Sequence, residues 1–196
     1  HITKISTKRS VELVRWAKNE GLYVTCDVTP HNLFLTDEAI LSFNTHLKVN
    51  PPLRRTEDVA ALREALADGT IDAIASDHSP FTSEEKDVEF DAAPFGMNGL
   101  ETLLGIVMTH VVKPGILSLP QLIRILAVNP RTILRLPVPC IRKGEPAHLT
   151  VFQPEETFKV NKKALYSLSQ NTPFDGQEFY GKVRCVLNKG LMRCFE

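Results

Sequence analysis

The chain has 196 residues, enough for one domain with a substantial core or for one domain and a small appendage. Lys plus Arg and Asp plus Glu both number 23, so the formal net charge is zero. No block of basic residues interleaved with aromatics is present, which argues against a nucleic-acid partner. No apolar run approaches the roughly 20 residues of a membrane span, so we expect a cytoplasmic protein without a membrane partner.

The cysteines are scattered along the chain, at Cys26, Cys140, Cys185 and Cys194. They do not form the close pairs of a zinc knuckle or of a disulfide framework. The sequence therefore predicts reduced thiols, as in a cytosolic protein. The chain begins with His1 and shows no signal-peptide pattern, so we expect a piece of a longer polypeptide.

Strand and helix signals alternate up to about residue 136. The predicted strands are His1–Ser6, Leu22–Val28 and a run from Ile71 that ends at Asp77. The predicted helices are one from Ser6 or Thr7 to about Glu20, a short one opening at Thr36, one capped by Thr56 and ended by Gly69, one over Leu100–Val112, and two capped by Ser118 and Asn129. This alternation is typical of an α/β fold with a parallel sheet and crossover helices.

The pattern changes after residue 136, where prolines and a glycine indicate a boundary. Two short runs rich in β-forming residues follow, at 149–152 and 183–187. We expect residues 1–136 to form the α/β part, and residues 137–196 to form a linker and a smaller β-rich unit.

Asp77 is the first candidate for a catalytic or metal-binding residue. A short apolar run ends at this acid, and the carboxyl ends of strands are where open α/β sheets and barrels collect their functional groups. The alternative is that Asp77 caps a turn closed by Pro80. His1, His31, Asp77 and His78 can supply zinc ligands, but their spacing matches no compact zinc motif. A lone histidine near a turn is more often a hydrogen-bonded structural residue.

Two other stretches carry candidate ligand-binding groups. Asn50 and Arg54 can together bind a carboxylate or an imide ring, or they are a turn amide and a solvated cation. Gly96 can let backbone groups approach a ligand, or it forms a loop-to-helix corner. The surrounding loop, 79–98, is long, polar and acidic, as functional loops often are.

Several stretches together resemble the dihydroorotase branch of the amidohydrolase superfamily. In chain order they are residues 6–8, 24–38, 48–54, 76–80, 99–102, 129–130 and 171–174, followed by Gly176 and Gly181. The resemblance is ordered and nearly end to end. It implies that residues 1–136 are the C-terminal part of a TIM-type (β/α)8 barrel, about strands six to eight. Residues 137–196 would then contribute to a small β-sandwich.

The resemblance also implies an activity. Members of this branch reversibly open the dihydroorotate ring, or form it from carbamoyl aspartate, in pyrimidine biosynthesis. One or two zinc ions activate a water there, and Asp77 falls at the position of the metal-binding, proton-accepting aspartate. Asn50 and Gly96 fall at substrate-contacting positions. The stretch 48–54 is also compatible with a hydantoinase or allantoinase relative.

Two departures from the family pattern argue against this activity. Lys4 stands where the family has a histidine ligand, and a protonated lysine has no lone pair for zinc. Phe81 stands where a histidine helps to hold substrate. These changes favour a non-catalytic homologue that acts as a scaffold or as a partner of aspartate transcarbamoylase. In it, we predict that Lys4 pairs with Asp77. As partners of the chain we expect dihydroorotate or carbamoyl aspartate, and either further copies of itself or aspartate transcarbamoylase.

The family's other metal ligands would precede His1, so we do not expect this stretch to be active by itself. Three barrel strands also leave open edges that a closed barrel would cover. We therefore predict that residues 1–196 alone do not form a stable monomer.

Overall fold

The computed structural model describes residues 1–195. Three parallel strand segments lie side by side in chain order. Ile2 pairs with Cys26, and strand β1 (Asp27–Val28) pairs with strand β2 (Ala73–Ile74). The regular pairing is shorter than the sequence predicts, but the order and the parallel direction are those of consecutive strand–helix units.

Two helices connect these segments. Helix α1 (Lys8–Asn19) begins after Thr7, whose hydroxyl accepts the N–H of Ser10, as the sequence predicts. Helix α2 (Thr56–Ala67) has Arg55 as its N-cap residue. The sequence predicted Thr56 as the cap, one position too far along the chain, because Thr56 is the first residue of the helix. Both helices turn an apolar stripe towards the strands.

The remaining helical segments are short. They are α3 (Ser83–Lys86), α4 (Leu103–Val107) continued by a π-helix (Met108–Val112), and α5 (Leu119–Ile123) continued by a π-helix (Arg124–Val128) into α6 (Asn129–Ile133). Single 3-10 turns cover His31–Leu33, Asp37–Ser42, Thr45–Leu47 and Lys162–Ala164. No helix within residues 1–195 is long and apolar enough to cross a bilayer.

Asn129 differs from its predicted role. It is the first residue of α6, but α6 continues the helical stretch that begins after Ser118, so Asn129 does not cap a separate helix. Its side-chain amide instead donates to the carbonyl of Asp72 over 2.8 Å, which ties this stretch to the residue before β2.

An antiparallel sheet follows the predicted boundary. Its strands are β3 (Leu149–Lys159), β4 (Glu178–Asn188) and β5 (Leu191–Cys194), in that order. Phe174 and Phe179 pack into one buried cluster with Ile106 of α4 and with Met97. The β-rich segment and the α/β part thus share a core, and the boundary near residue 136 stays a prediction.

The prediction of four reduced thiols was wrong for two of them. Cys185 and Cys194 form a disulfide. They lie nine positions apart, which gives no pairing signal in the sequence, but the β4–β5 hairpin places them directly opposite each other. Cys26 is a buried free thiol, and burial is the main cause that raises its pKa to about 11. Cys140 is free and exposed.

Thiol titration tests this arrangement. We expect the native, unreduced protein to show one fast-reacting thiol, Cys140, because Cys26 is buried and protonated at neutral pH. Unfolding without reductant should expose one more thiol, and reduction should add the pair Cys185 and Cys194. The variant Cys140→Ser serves as the control and should remove the fast reaction. Three fast thiols in the unreduced native protein would contradict the disulfide.

Candidate functional site

Three successive strand ends bring Lys4, His31 and Asp77 to one edge of the parallel sheet. Lys4 follows the first segment, His31 follows β1 after a Thr-Pro turn, and Asp77 follows β2. Lys4 (φ 57°) and Asp77 (φ 48°) both have left-handed backbone conformations. Non-glycine residues rarely adopt this region, and such strain is concentrated at functional positions.

Lys4 and Asp77 form the predicted pair. The Lys4 Nζ donates to Asp77 Oδ1 over 3.0 Å. The Asp77 side chain is 11% exposed, whereas that of Lys4 is 32% exposed. The pair is therefore partly screened by solvent, and it contributes less than a fully buried pair of the same geometry.

His31 completes the group without joining the ion pair. Its Nε2 lies 3.9 Å from Asp77 Oδ2, beyond hydrogen-bond distance, and has no hydrogen-bond partner among residues 1–195. Burial lowers the pKa of His31 to about 4; the carboxylate of Asp77 opposes this shift, and Lys4 adds to it. The imidazole is therefore neutral at pH 7, so the contact with Asp77 is not a salt bridge.

A buried acid orients Lys4. Asp27 Oδ1 accepts the backbone N–H of Lys4 over 2.8 Å and the hydroxyl of Thr3 over 3.2 Å. Its Oδ2 bonds to Nε2 of His1 over 2.9 Å. His1, a candidate ligand, is thus engaged by Asp27. The sequence analysis did not single out Asp27, although an acid inside the apolar run 24–28 was a signal for it.

The loop around Gly96 packs directly on the residues beside Asp77. An added Cβ at Gly99 would lie 2.1 Å from the carbonyl oxygen of Ser76, and one at Gly96 would lie 2.3 Å from Cβ of Ser79. Both positions therefore need glycine for a close approach. The Nδ1 of His78, another candidate ligand, accepts the N–H of Gly99 over 3.3 Å, so His78 joins the two segments.

The predicted substrate-contacting residues have different surroundings. Gly96 is buried, and its N–H donates to the Lys48 carbonyl over 2.8 Å. Asn50 is exposed and precedes a cis peptide bond to Pro51. Arg54 donates from Nε to the hydroxyl of Ser6 over 3.2 Å. The contacts of Asn50 and Gly96 with a substrate stay predictions.

Phe81 is held by its backbone. Its N–H points at the hydroxyl of Ser169 (3.2 Å) and at Oδ1 of Asn171 (3.3 Å). Its ring lies 5.5 Å from Nζ of Lys86, a cation–π distance. Lys86 is buried and donates to two backbone carbonyls, and burial lowers its pKa to about 8. Phe81 therefore shapes this loop but offers no side-chain hydrogen bond to a ligand.

Residues 5–192 match the family model described as Amidohydrolase family.

This chain belongs to the amidohydrolase family.

Two relatives are dihydroorotases. The chain is 45% identical over 193 residues to the one from Caldanaerobacter subterraneus, with 98% of this chain and 44% of the relative covered. It is 49% identical over 181 residues to the one from Pelotomaculum thermopropionicum, with 92% and 42% covered. A solved L-hydantoinase from Arthrobacter aurescens superposes with a TM-score of 0.90 at 28% identity, over 99% of this chain and 45% of that one.

These likenesses confirm the predicted fold class. The chain is α/β and corresponds to part of the amidohydrolase barrel fold. It spans less than half the length of the relatives it matches. The resemblance to dihydroorotases found in the sequence is confirmed as well.

The described residues of this amidohydrolase do not fit a zinc site. Within residues 1–195, no group of three or more His, Cys, Asp or Glu side chains is placed to hold a metal ion. The third group beside Asp77 and His31 is the Lys4 ammonium, which has no lone pair to donate. Asp77 and His31 alone fall short of the three or four protein ligands typical of zinc.

A double-mutant cycle measures the Lys4–Asp77 pair in the amidohydrolase. Lys4→Met, Asp77→Asn and the double variant should give a coupling free energy of about 1–2 kcal/mol in urea unfolding, because one partner is mostly buried. The exposed pair Arg9–Glu12 is the control and should couple by less than about 0.5 kcal/mol. Equal coupling in the two pairs would show that burial of Asp77 adds nothing.

Proposed function

We propose that the protein is a dihydroorotase-type cyclic amidohydrolase of pyrimidine biosynthesis, which opens the dihydroorotate ring and forms it from carbamoyl aspartate. The identity of 45% and 49% to two dihydroorotases supports this substrate class. The observation that carries the proposal is the placement of Asp77, a mostly buried carboxylate at the carboxyl end of β2.

Asp77 has the geometry of a proton acceptor. Lys4 engages only Oδ1, and Oδ2 makes no hydrogen bond with residues 1–195. In the proposed reaction, Oδ2 accepts a proton from the water whose oxygen attacks the ring carbonyl. The ring C–N bond then breaks, and the same proton passes from Asp77 to the departing nitrogen. Asn50 and Gly96 would contact the ring from the neighbouring loops. The described residues do not fit zinc, so we assign no step to a metal ion. The proton transfer is assigned to Asp77.

Turnover of the purified protein tests this proposal. We expect hydrolysis of dihydroorotate, and Asp77→Asn should lower kcat by roughly 10²- to 10⁴-fold because the proton acceptor is lost. The matched control is Asp72→Asn, which removes the acid of the Lys18 pair at the opposite end of β2 and should leave turnover nearly unchanged. A panel with hydantoin and allantoin separates the related substrate classes. No turnover of dihydroorotate by the wild type, with or without added zinc, would contradict the proposal.

A second candidate function is favoured by one specific observation. The Lys4 ammonium sits on Asp77, where the family resemblance places a metal ion, and Phe81 replaces a substrate-holding histidine. In this reading the protein is a non-catalytic dihydroorotase homologue that serves as a scaffold or as a partner of aspartate transcarbamoylase. Lys4 then supplies a fixed positive charge that keeps Asp77 paired without metal.

Zinc content tests the non-catalytic candidate. For the non-catalytic homologue, the wild type should bind no zinc, whereas Lys4→His should gain up to one zinc per chain, since it places an imidazole beside His31 and Asp77. Elemental analysis after dialysis gives the readout. Lys18→His, at the other lysine–aspartate pair, is the control and should gain none. Stoichiometric zinc in the wild type that is lost in Asp77→Asn would contradict the non-catalytic candidate.

A further inference from the structure

A buried amide from the β-rich segment reaches the loops of the candidate site. Asn171 lies between β3 and β4 and is 2% exposed. Its Nδ2 donates to the carbonyl of Ser79 over 3.0 Å and to that of Gly96 over 3.3 Å. Its Oδ1 accepts the N–H of Phe81 over 3.3 Å. One side chain therefore contacts the segment after Asp77 twice and the Gly96 loop once.

Neighbouring polar groups complete this arrangement. The hydroxyl of Ser169 donates to Oδ1 of Asn171, and it lies within hydrogen-bond distance of both backbone groups of Phe81. The backbone N–H of Asn98 donates to the Asn171 carbonyl over 2.9 Å, and its side chain donates to the Ser169 carbonyl over 2.6 Å. Both donors and both acceptor sites of the Asn171 amide are thus used, and a fully satisfied buried network fixes one conformation.

The contacted loops have little regular structure of their own. The peptide after Asp77 is joined to the Gly96 loop by the N–H of Ser79, which donates to the Met97 carbonyl, and by the parallel bridge between His78 and Met97. The strand that carries Asp77 is held separately, by pairing with β1. Loss of the Asn171 amide should therefore move the loops more than it moves Asp77.

We propose that Asn171 is a positioning residue of the candidate site: it holds the loops of Phe81 and Gly96 against the end of β2. The inference rests on the proposed function for what these loops bind. It makes the β-rich segment part of the site, although no residue of that segment was a site candidate in the sequence analysis.

Only an amide satisfies all of these contacts. A carboxylate at this position would face the carbonyl oxygens of Ser79 and Gly96 with no hydrogen to donate. Alanine would leave those two carbonyls without their side-chain donor in a buried place, and the N–H of Phe81 would keep only the hydroxyl of Ser169. Both changes should loosen the same two loops.

The test combines kinetics with hydrogen exchange on the full protein. The variants are Asn171→Ala and Asn171→Asp. Asn161→Ala is the matched control, because Asn161 belongs to the same segment and caps the turn Lys162–Ala164. We expect the KM for dihydroorotate to rise roughly 10- to 100-fold in both Asn171 variants, while kcat per folded molecule changes less than about threefold. Amides of residues 78–82 and 95–99 should exchange faster, and those of α1 should not.

Each outcome decides the inference. A merely structural role would lower the folded fraction and leave KM unchanged, and unchanged KM with unchanged loop exchange would overturn the proposal. If the Asn171 variants do not fold, Ser169→Ala removes a neighbouring hydroxyl of the network and should show a smaller effect of the same kind. If the wild type neither binds nor turns over dihydroorotate, the proposed function fails. The exchange rates of the two loops then still decide whether Asn171 holds them.

Discussion

The hydrogen bond from Lys4 to Asp77 is the constraint on which the candidate site depends. The two residues end the first and third of three parallel segments, so their backbones are separated by two strand spacings, about 10 Å. The side chains of both residues and the 3.0 Å hydrogen bond between Lys4 Nζ and Asp77 Oδ1 together close that distance. The buried carboxylate of Asp27 fixes the start of the Lys4 side chain by holding the backbone N–H of Lys4. His31, which follows the middle strand, is neutral, and its Nε2 lies 3.9 Å from Asp77 Oδ2.

The nature of the cation at this place separates the two candidate functions. An ammonium brings one positive charge and hydrogen-bond donors, and it can neutralise a carboxylate in a partly buried position. A zinc ion brings two positive charges, but it needs lone pairs from several neighbours. Lys4 has none to offer, and His31 has one that nothing in residues 1–195 uses. In the non-catalytic candidate, the strand ends would keep the position of the family's site while Lys4 takes the place of the metal ion.

Sequence reasoning was sufficient where the determining contacts are local or where the family order fixes them. Thr7 begins α1 because its hydroxyl bonds three residues ahead, and Asp77 follows an apolar run whose end is visible in the sequence. Lys4 was placed beside Asp77 through the resemblance, since strand ends of one sheet meet at one edge. Cys185 and Cys194, by contrast, become neighbours only through the β4–β5 register. Asn129 gave a cap signal that was overridden by a contact with Asp72, 57 residues away.

The role of Asn171 could not be predicted from the sequence for the same reason. Its partners Ser79, Phe81 and Gly96 lie 75 to 92 residues earlier in the chain. Apolar packing follows the same route, because Met97 of the Gly96 loop is buried in one cluster with Phe174 and Phe179. Hydrogen bonds and packing thus join the β-rich segment to the loops beside Asp77. A substitution in that segment can therefore alter the site's geometry while Lys4, His31 and Asp77 remain intact, so site competence depends on residues that touch no substrate.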